Sequence, residues 1–166
     1  MPADHKKNVM LGEAGELLVA SRFFALGYAA AQFPRNYKSD DLYVDRDGEM
    51  IHVQVKTTKG SLSWLVGTHI ESSPNRFYAL VHFDSYPARD PRAATVYLLP
   101  SSTVAKAVNL HAKYYLEAHP NPKGPGLPNV ADHWRMEEKM SEDGFGRGWL
   151  EPFEEPWSLF RAGKLV

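Results

Sequence analysis

Apolar and polar residues alternate twice between positions 41 and 56, first along Asp41-Leu-Tyr-Val-Asp45 and again along Ile51-His-Val-Gln-Val-Lys56. A period of two is the signature of a strand with one buried face. Between the runs stands Asp47-Gly48, a pair suited to a two-residue hairpin turn because both central residues must adopt positive φ. That turn sets a register: Arg46 opposite Glu49, Val44 opposite Ile51, Leu42 opposite Val53, and Asp41 opposite Gln54. Leu42, Val44, Ile51, Val53 and Val55 then share an aliphatic face. Asp41, Tyr43, His52, Gln54 and Lys56 share the other. A slip of one residue would bury the charges and expose the aliphatics, so the register is strongly specified.

Helical spacing dominates elsewhere. Ala14, Leu17, Ser21 and Phe24 recur along one side of a segment from about Asn8 to Gly27, with Leu18 and Ala25 beside them, and Gly27 is a stop signal. Tyr28 to Phe33 reads as a short strand ended by Pro34. Ser63 to Val66, Phe77 to Phe83 and Thr95 to Leu99 read as further strands. Ser101 or Ser102 is placed to cap a helix to about Glu117, with Val104, Val108 and Tyr115 inward. His119 to Pro128 holds four prolines and two glycines and reads as a loop. Beyond it the chain is rich in aromatics (Trp134, Phe145, Trp149, Phe153, Trp157, Phe160), a composition that predicts packing on the main body. The expected architecture is α/β: a mixed central sheet flanked by helices over 1–118, with a proline-rich loop and aromatic extension over 119–166.

Composition changes this picture little. A chain of 166 residues with 43% hydrophobic and 23% charged positions can bury a core and is not disordered as a whole. With no cysteine, disulfides and thiolate metal sites are excluded. The polar start, the absence of a signal-like apolar segment and the lack of any membrane-length apolar run predict a cytoplasmic protein without membrane contact. A net charge of −1 announces no polyanion partner.

The polar hairpin face is where chemistry is concentrated. Asp41 offers a carboxylate, Gln54 an amide oxygen and Lys56 a cation two residues further on. Hard oxygens suit Mg²⁺, and the Val55 backbone carbonyl is a further donor. Lys56 cannot bind metal, but it can position water or neutralise charge on a phosphate. On the first helix, Glu16 follows Gly12 and Gly15, small residues that permit close approach by a sheet, a partner or a phosphate backbone. Lys6, Lys7, Arg22, Arg35, Lys38 and Lys59 flank these positions as candidate phosphate contacts.

The order of a helical glutamate in Gly12-Glu-Ala-Gly-Glu16, an aspartate heading a strand in Asp40-Asp41-Leu-Tyr-Val44, and Val53-Gln-Val-Lys56 on the next strand resembles the PD-(D/E)xK nuclease superfamily. That group includes restriction endonucleases and Holliday-junction resolvases. The pattern is similar to a bacterial subgroup in which Gln-Val-Lys replaces Glu-Val-Lys. The likeness covers about residues 9 to 60, weakly to 110. It implies a restriction-endonuclease-like core and hydrolysis of phosphodiester bonds in nucleic acid, normally DNA. It also implies Mg²⁺ (or Mn²⁺) held by Glu16, Asp41, Gln54 and the Val55 carbonyl, with Lys56 completing the catalytic set. Asp41 is preferred over Asp40 because the metal-binding aspartate of the family immediately precedes the apolar strand residues. The chain departs from the pattern in lacking the proline before the aspartate and in carrying Gln54 for an acid. A homodimer would suit the cutting of two strands. Two other readings follow from the residues: a catalytically inactive nuclease-fold module that binds nucleic acid or a protein, and a small accessory protein acting through an apolar patch on the aromatic extension.

Overall fold

A computed structural model of the chain describes residues 3–33, 40–67, 70–90, 93–119, 128–134 and 136–165. The first helix, α1, spans Ala3–Ala25 and is followed by β1 (Ala29–Gln32), β2 (Leu42–Arg46), β3 (Glu49–Lys59), β4 (Ser63–Leu65), β5 (Arg76–Phe83) and β6 (Thr95–Pro100). Then come α2 (Ser101–Ala118), β7 (Asn129–Ala131), α3 (Glu137–Glu142), a 3-10 turn at Glu151–Phe153 and α4 (Trp157–Arg161). Five strands form a mixed sheet in the order β1-β2-β3-β5-β6, and β4 pairs with β7 in a separate two-stranded sheet. The α/β architecture expected from the sequence is the one observed. Most of the proline-rich segment, and with it Pro34, Arg35 and Lys38, lies outside the described residues.

The hairpin register is that set by the turn. Asp47 (φ 54°) and Gly48 (φ 89°) both take left-handed conformations, and Arg46 pairs with Glu49, Val44 with Ile51 and Leu42 with Val53. Leu42, Val44, Ile51 and Val53 are fully buried. Burying an aliphatic side chain of this size contributes roughly 1.5–3 kcal/mol, so a one-residue slip would cost several times that amount. Strand β3 then pairs in parallel with β5, setting Gln54 beside Tyr78 and Lys56 beside Leu80. Strand β5 pairs antiparallel with β6.

Each face of the sheet has its own core. On one, α1 contributes Leu11, Val19 and Phe23 against the hairpin aliphatics and Phe77, Ala79, Val81, Val96 and Leu98. On the other, α2 and the small sheet cover Tyr78, Leu80, Tyr97 and Leu99 with Val104, Ala107, Trp64 and Val130. The aromatic extension divides between them. Trp134 and Trp149 join the α2 side, while Phe160 crosses to the α1 side and meets Phe23, Tyr28 and Phe77 at ring distances of 5.2–5.7 Å. Arg46 clasps this end, its guanidinium 5.0 Å from the Phe160 ring.

Three expectations need correction. The inward stripe of α1 is Leu11, Gly15, Val19 and Phe23, whereas Leu17 and Phe24 are 56% and 58% exposed. Apolar residues occupy both sides of this helix, so periodicity alone could not choose. What chooses is the contact of Gly15 with Thr57, where only a residue without Cβ fits. Second, neither serine caps α2. Pro100 occupies the cap position, and Ser101 is buried with its hydroxyl accepting from the Ser73 N–H and donating to the Ser73 carbonyl. On that helix Tyr114, not Tyr115, packs against the core. Third, the extension packs on the main body as its composition predicts, so the alternative reading of an apolar patch there finds Trp134, Phe145, Trp149 and Phe160 buried, while the exposed large apolar residues of α1 are Val9, Met10, Leu17 and Phe24. Among the described residues no helix is long and apolar enough to cross a membrane.

The two helix glycines predict opposite effects. A Cβ at Gly15 would lie 1.9 Å from Thr57 Oγ1 and 3.1 Å from Thr57 Cβ, while one at Gly12 meets nothing within 4 Å. Thr57 is β-branched, so one of its two other staggered rotamers puts Cγ2 in the same space, and its Cβ, which rotation cannot move, already stands at 3.1 Å. Overpacking of this kind costs about 1–3 kcal/mol, against a helix-propensity gain of about 1 kcal/mol for alanine over glycine. Gly15→Ala should lower the melting temperature and Gly12→Ala should hold or raise it. A Gly15→Ala protein as stable as its Gly12→Ala counterpart would contradict the packing of α1 on β3.

Candidate active site

The second face of the sheet is only half covered. Helix α2 and the small sheet lie over β5 and β6, and the β2–β3 portion is left as a ledge bearing the half-buried Asp41, Tyr43, His52, Gln54 and Lys56. Asp41 stands where β2 begins. Its Oδ2 accepts the Val55 N–H at 2.7 Å, while its own N–H donates to the Val53 carbonyl at 3.1 Å. A carboxylate thus stands where the next ladder partner would have been. Within an antiparallel ladder, one residue's N–H and C=O point to the same neighbour, so the Val55 carbonyl faces the flank that holds Asp41. Asp41 and Val55 are therefore brought together directly.

Gln54 and Lys56 flank Val55 along β3 and project from the ledge face. Neither side chain makes a hydrogen bond or ion pair among the described residues, so an amide and an ammonium stand ready for something other than the protein. Glu16 comes from the other side. It follows Gly15 on the helix that covers the aliphatic face, and its Oε2 accepts from Gln32 Nε2 at 3.1 Å. Gln32 in turn pairs with Leu42, the residue after Asp41. Glu16 and Asp41 thus share one end of the sheet while Glu16 and Gln54 occupy opposite faces. The expected reach of Glu16 to the polar face is not what the structure places: its carboxylate is engaged with Gln32 on the α1 side. Among the described residues no three His, Asp or Glu side chains are grouped as a metal cage. The expected donor set has only two carboxylates, and an amide and a backbone oxygen must complete it.

No protein-family model matches the chain, and no curated protein sequence matches it. Among solved structures, a bacterial homing endonuclease is similar at 13% identity and a TM-score of 0.47, over 92% of this chain and 89% of that one. The site rests on its own geometry.

The structure adds residues that sequence reasoning passed over. Asp40 is 5% exposed, with Oδ2 at 2.9 Å from His52 Nδ1 and Oδ1 at 3.2 Å from Arg76 Nη1. Arg76 also reaches Glu71 at 3.4 Å. Tyr78 stands beside Gln54, and its phenol is pushed above the usual tyrosine range, first by burial and then by the fields of Asp40 and Asp41, against the opposing pull of Arg76. Both aspartates therefore act on this buried ring. Arg76 and Tyr78 went unnoticed because their strand joins β3 in parallel across a long connection, and no short-range pattern announces such a pairing. Of the flanking cations, Arg22 lies 3.8 Å from Glu155 and is thus turned toward the C-terminal segment.

The Asp41 bond has a measurable consequence. Asp41→Ala should leave the Val55 N–H without its acceptor and speed its hydrogen exchange, by about the 1.5–3 kcal/mol typical of a hydrogen bond to a charged group. Asp41→Asn, which retains an acceptor oxygen, should restore part of the protection. Unaltered Val55 exchange in the alanine variant, followed by NMR, would remove the contact from which the site is built.

Proposed function

We propose that this chain is a metal-dependent nuclease that hydrolyses phosphodiester bonds of nucleic acid, with DNA as its substrate. The observation that carries the reading is the Asp41 carboxylate fixed on the Val55 N–H, with Gln54 and Lys56, unpartnered among the described residues, on either side of Val55. The donors suit a hard cation: the second Asp41 oxygen, the Gln54 amide oxygen and the Val55 carbonyl, with Glu16 from α1, would hold Mg²⁺ or Mn²⁺. When bound, that ion would polarise a phosphoryl oxygen and offset the charge that builds on it. Lys56 supplies a second cation that needs no metal. It can orient the attacking water and stabilise the pentavalent phosphorus. A rigid strand holds it, and rigidity matters because preorganised charge costs nothing to reorient during reaction.

A second reading is favoured by Gln54 itself. Exchange of a carboxylate for an amide removes one negative charge from the donor set, which suits a non-catalytic module that keeps the fold and binds nucleic acid or a protein. Calorimetric titration separates the two. Mg²⁺ or Mn²⁺ should bind the wild-type chain with measurable heat, and Asp41→Ala should abolish it; no heat from either protein would favour the binding module.

Cleavage of plasmid DNA gives the direct test. Wild-type protein should cut in the presence of Mg²⁺ or Mn²⁺ and stop on chelation. Asp41→Ala and Lys56→Ala should each reduce the rate by about 100-fold or more, the scale on which an electrostatic stabiliser acts. Undiminished cutting by the folded double variant would dispose of this assignment.

A further inference from the structure

We propose that Tyr43 is the base-binding residue of this site and that the DNA it receives is single-stranded; the proposal deepens the nuclease reading above and rests on it. The ring belongs to the ledge. Tyr43 follows Asp41 by two residues on the same face of β2, roughly 6.6 Å along the strand at about 3.3 Å per residue. Its neighbours fix it. The Phe33 ring lies 3.9 Å from it between centroids, tilted by 59°, and the His52 ring meets it edge-on at 4.7 Å. Phe33 donates its N–H to the Asp41 carbonyl at 3.0 Å, so the residue that braces Tyr43 is tied to the residue that carries the carboxylate. Across the strand pair on the β1 side, Ala31 is exposed and offers only a methyl group. Tyr43 is thus braced by two rings and left half-exposed, and its hydroxyl makes no hydrogen bond among the described residues.

Charge decides which form of DNA suits this surface. A duplex carries one negative charge per about 1.7 Å of its axis and is gripped chiefly by cations on its phosphates. The cations of the ledge among the described residues are Lys56 and Arg76, and Arg76 is shared between Asp40 and Glu71. The chain as a whole has net charge −1. Such a surface is poorly supplied for a duplex. A single strand can draw affinity from base–aromatic stacking instead, and every base has a face to offer. Within a duplex that face is covered by the next base pair, and exposing it means taking the base out of the stack.

The spacing agrees with this assignment. The rise between stacked nucleotides of one strand is about 3.4 Å, half the separation of Tyr43 and Asp41 along β2. A base lying on Tyr43 therefore belongs to a nucleotide within about two of the phosphate at Asp41. Negative supercoiling favours strand separation, so a supercoiled plasmid offers the same unpaired bases and should be cut faster than a relaxed linear duplex.

Fluorescence anisotropy with labelled oligonucleotides tests the assignment, at one salt concentration and with Ca²⁺ as a hard, oxygen-seeking cation. Three probes are compared: a short single strand, the same strand carrying abasic sites, and its duplex. Wild-type protein should prefer the single strand to the abasic strand by roughly 5- to 150-fold, the range given by one stacked base, and should bind the duplex more weakly than the single strand. Tyr43→Ala should lose this preference, and Tyr43→Phe, which keeps the ring, should retain it. If Tyr43→Ala fails to fold, the three probes on the wild-type chain carry the test. Wild-type protein that binds the abasic strand or the duplex as tightly as the single strand, or binds none of them, overturns the proposal. So does a folded Tyr43→Ala protein that keeps the preference, the result expected of a ring used only for packing between strands. A chain that shows the preference and loses it in Tyr43→Ala, yet cuts no DNA with Mg²⁺ or Mn²⁺, keeps its base site and overturns the nuclease reading. One that cuts with either metal but shows no preference does the reverse.

Discussion

Two consecutive left-handed residues, Asp47 and Gly48, decide what the rest of the molecule can do. With both at positive φ, the hairpin closes in a two-residue turn and Arg46 must meet Glu49. Every later pairing in β2 and β3 inherits that choice, including which side chains go inward. The aliphatics then require cover from α1, and the polar series is turned to the opposite face. Asp41 reaches Val55 only because the register places the head of β2 beside that part of β3. The chemistry of the ledge is thus a consequence of a turn some distance from it, and the burial of Leu42, Val44, Ile51 and Val53 holds the turn's choice in place.

The two faces are covered unequally, and this inequality makes the site. On the α1 side the cover is continuous from the hairpin to β6, drawn tight where Gly15 meets Thr57 and sealed at the far end by Phe160. On the other side, α2, the β4–β7 pair and the buried tryptophans lie over β5 and β6. Beyond them the strand side chains change from Leu80 and Leu99 to His52, Gln54 and Lys56, and these remain half-buried. Half-burial suits reactive groups. Low surrounding dielectric strengthens their fields, and residual solvent contact admits a substrate.

How much of this the sequence disclosed follows from the range of the interactions involved. The hairpin, its register and its two faces were legible because turn and alternation are local, and a one-residue error would have exposed five aliphatics. Gln54 and Lys56 were legible for the same reason. The inward stripe of α1 was not, since Leu17 and Phe24 are as apolar as Leu11 and Phe23; the choice is made by Thr57, more than 40 positions away. Ser101 was misjudged because a serine after a proline has the signature of a cap, while its hydroxyl is engaged by Ser73 from another loop. Arg76 and Tyr78 belong to a parallel pairing that leaves no mark in short windows. Asp40 was set aside in favour of its neighbour because burial, the property that distinguishes it, is tertiary.

Electrostatics links these parts under the proposed function. Asp40 and Asp41 are adjacent and both raise the energy of ionising Tyr78, while Arg76 lowers it by more than either. Arg76 shares its guanidinium between Asp40 and Glu71, so the charges of that cluster answer one another. A chain with net charge −1 offers no compensating background. Under the proposed function, a phosphodiester approaching the Asp41 carboxylate would meet a like charge unless positive charge sat at the same spot. Lys56 supplies one unit, and a divalent cation on the Asp41, Gln54 and Val55 oxygens would supply the remainder. Under that proposal the cation would serve substrate binding as well as reaction, and Gln54 in place of an acid would lower the negative charge that the cation must offset.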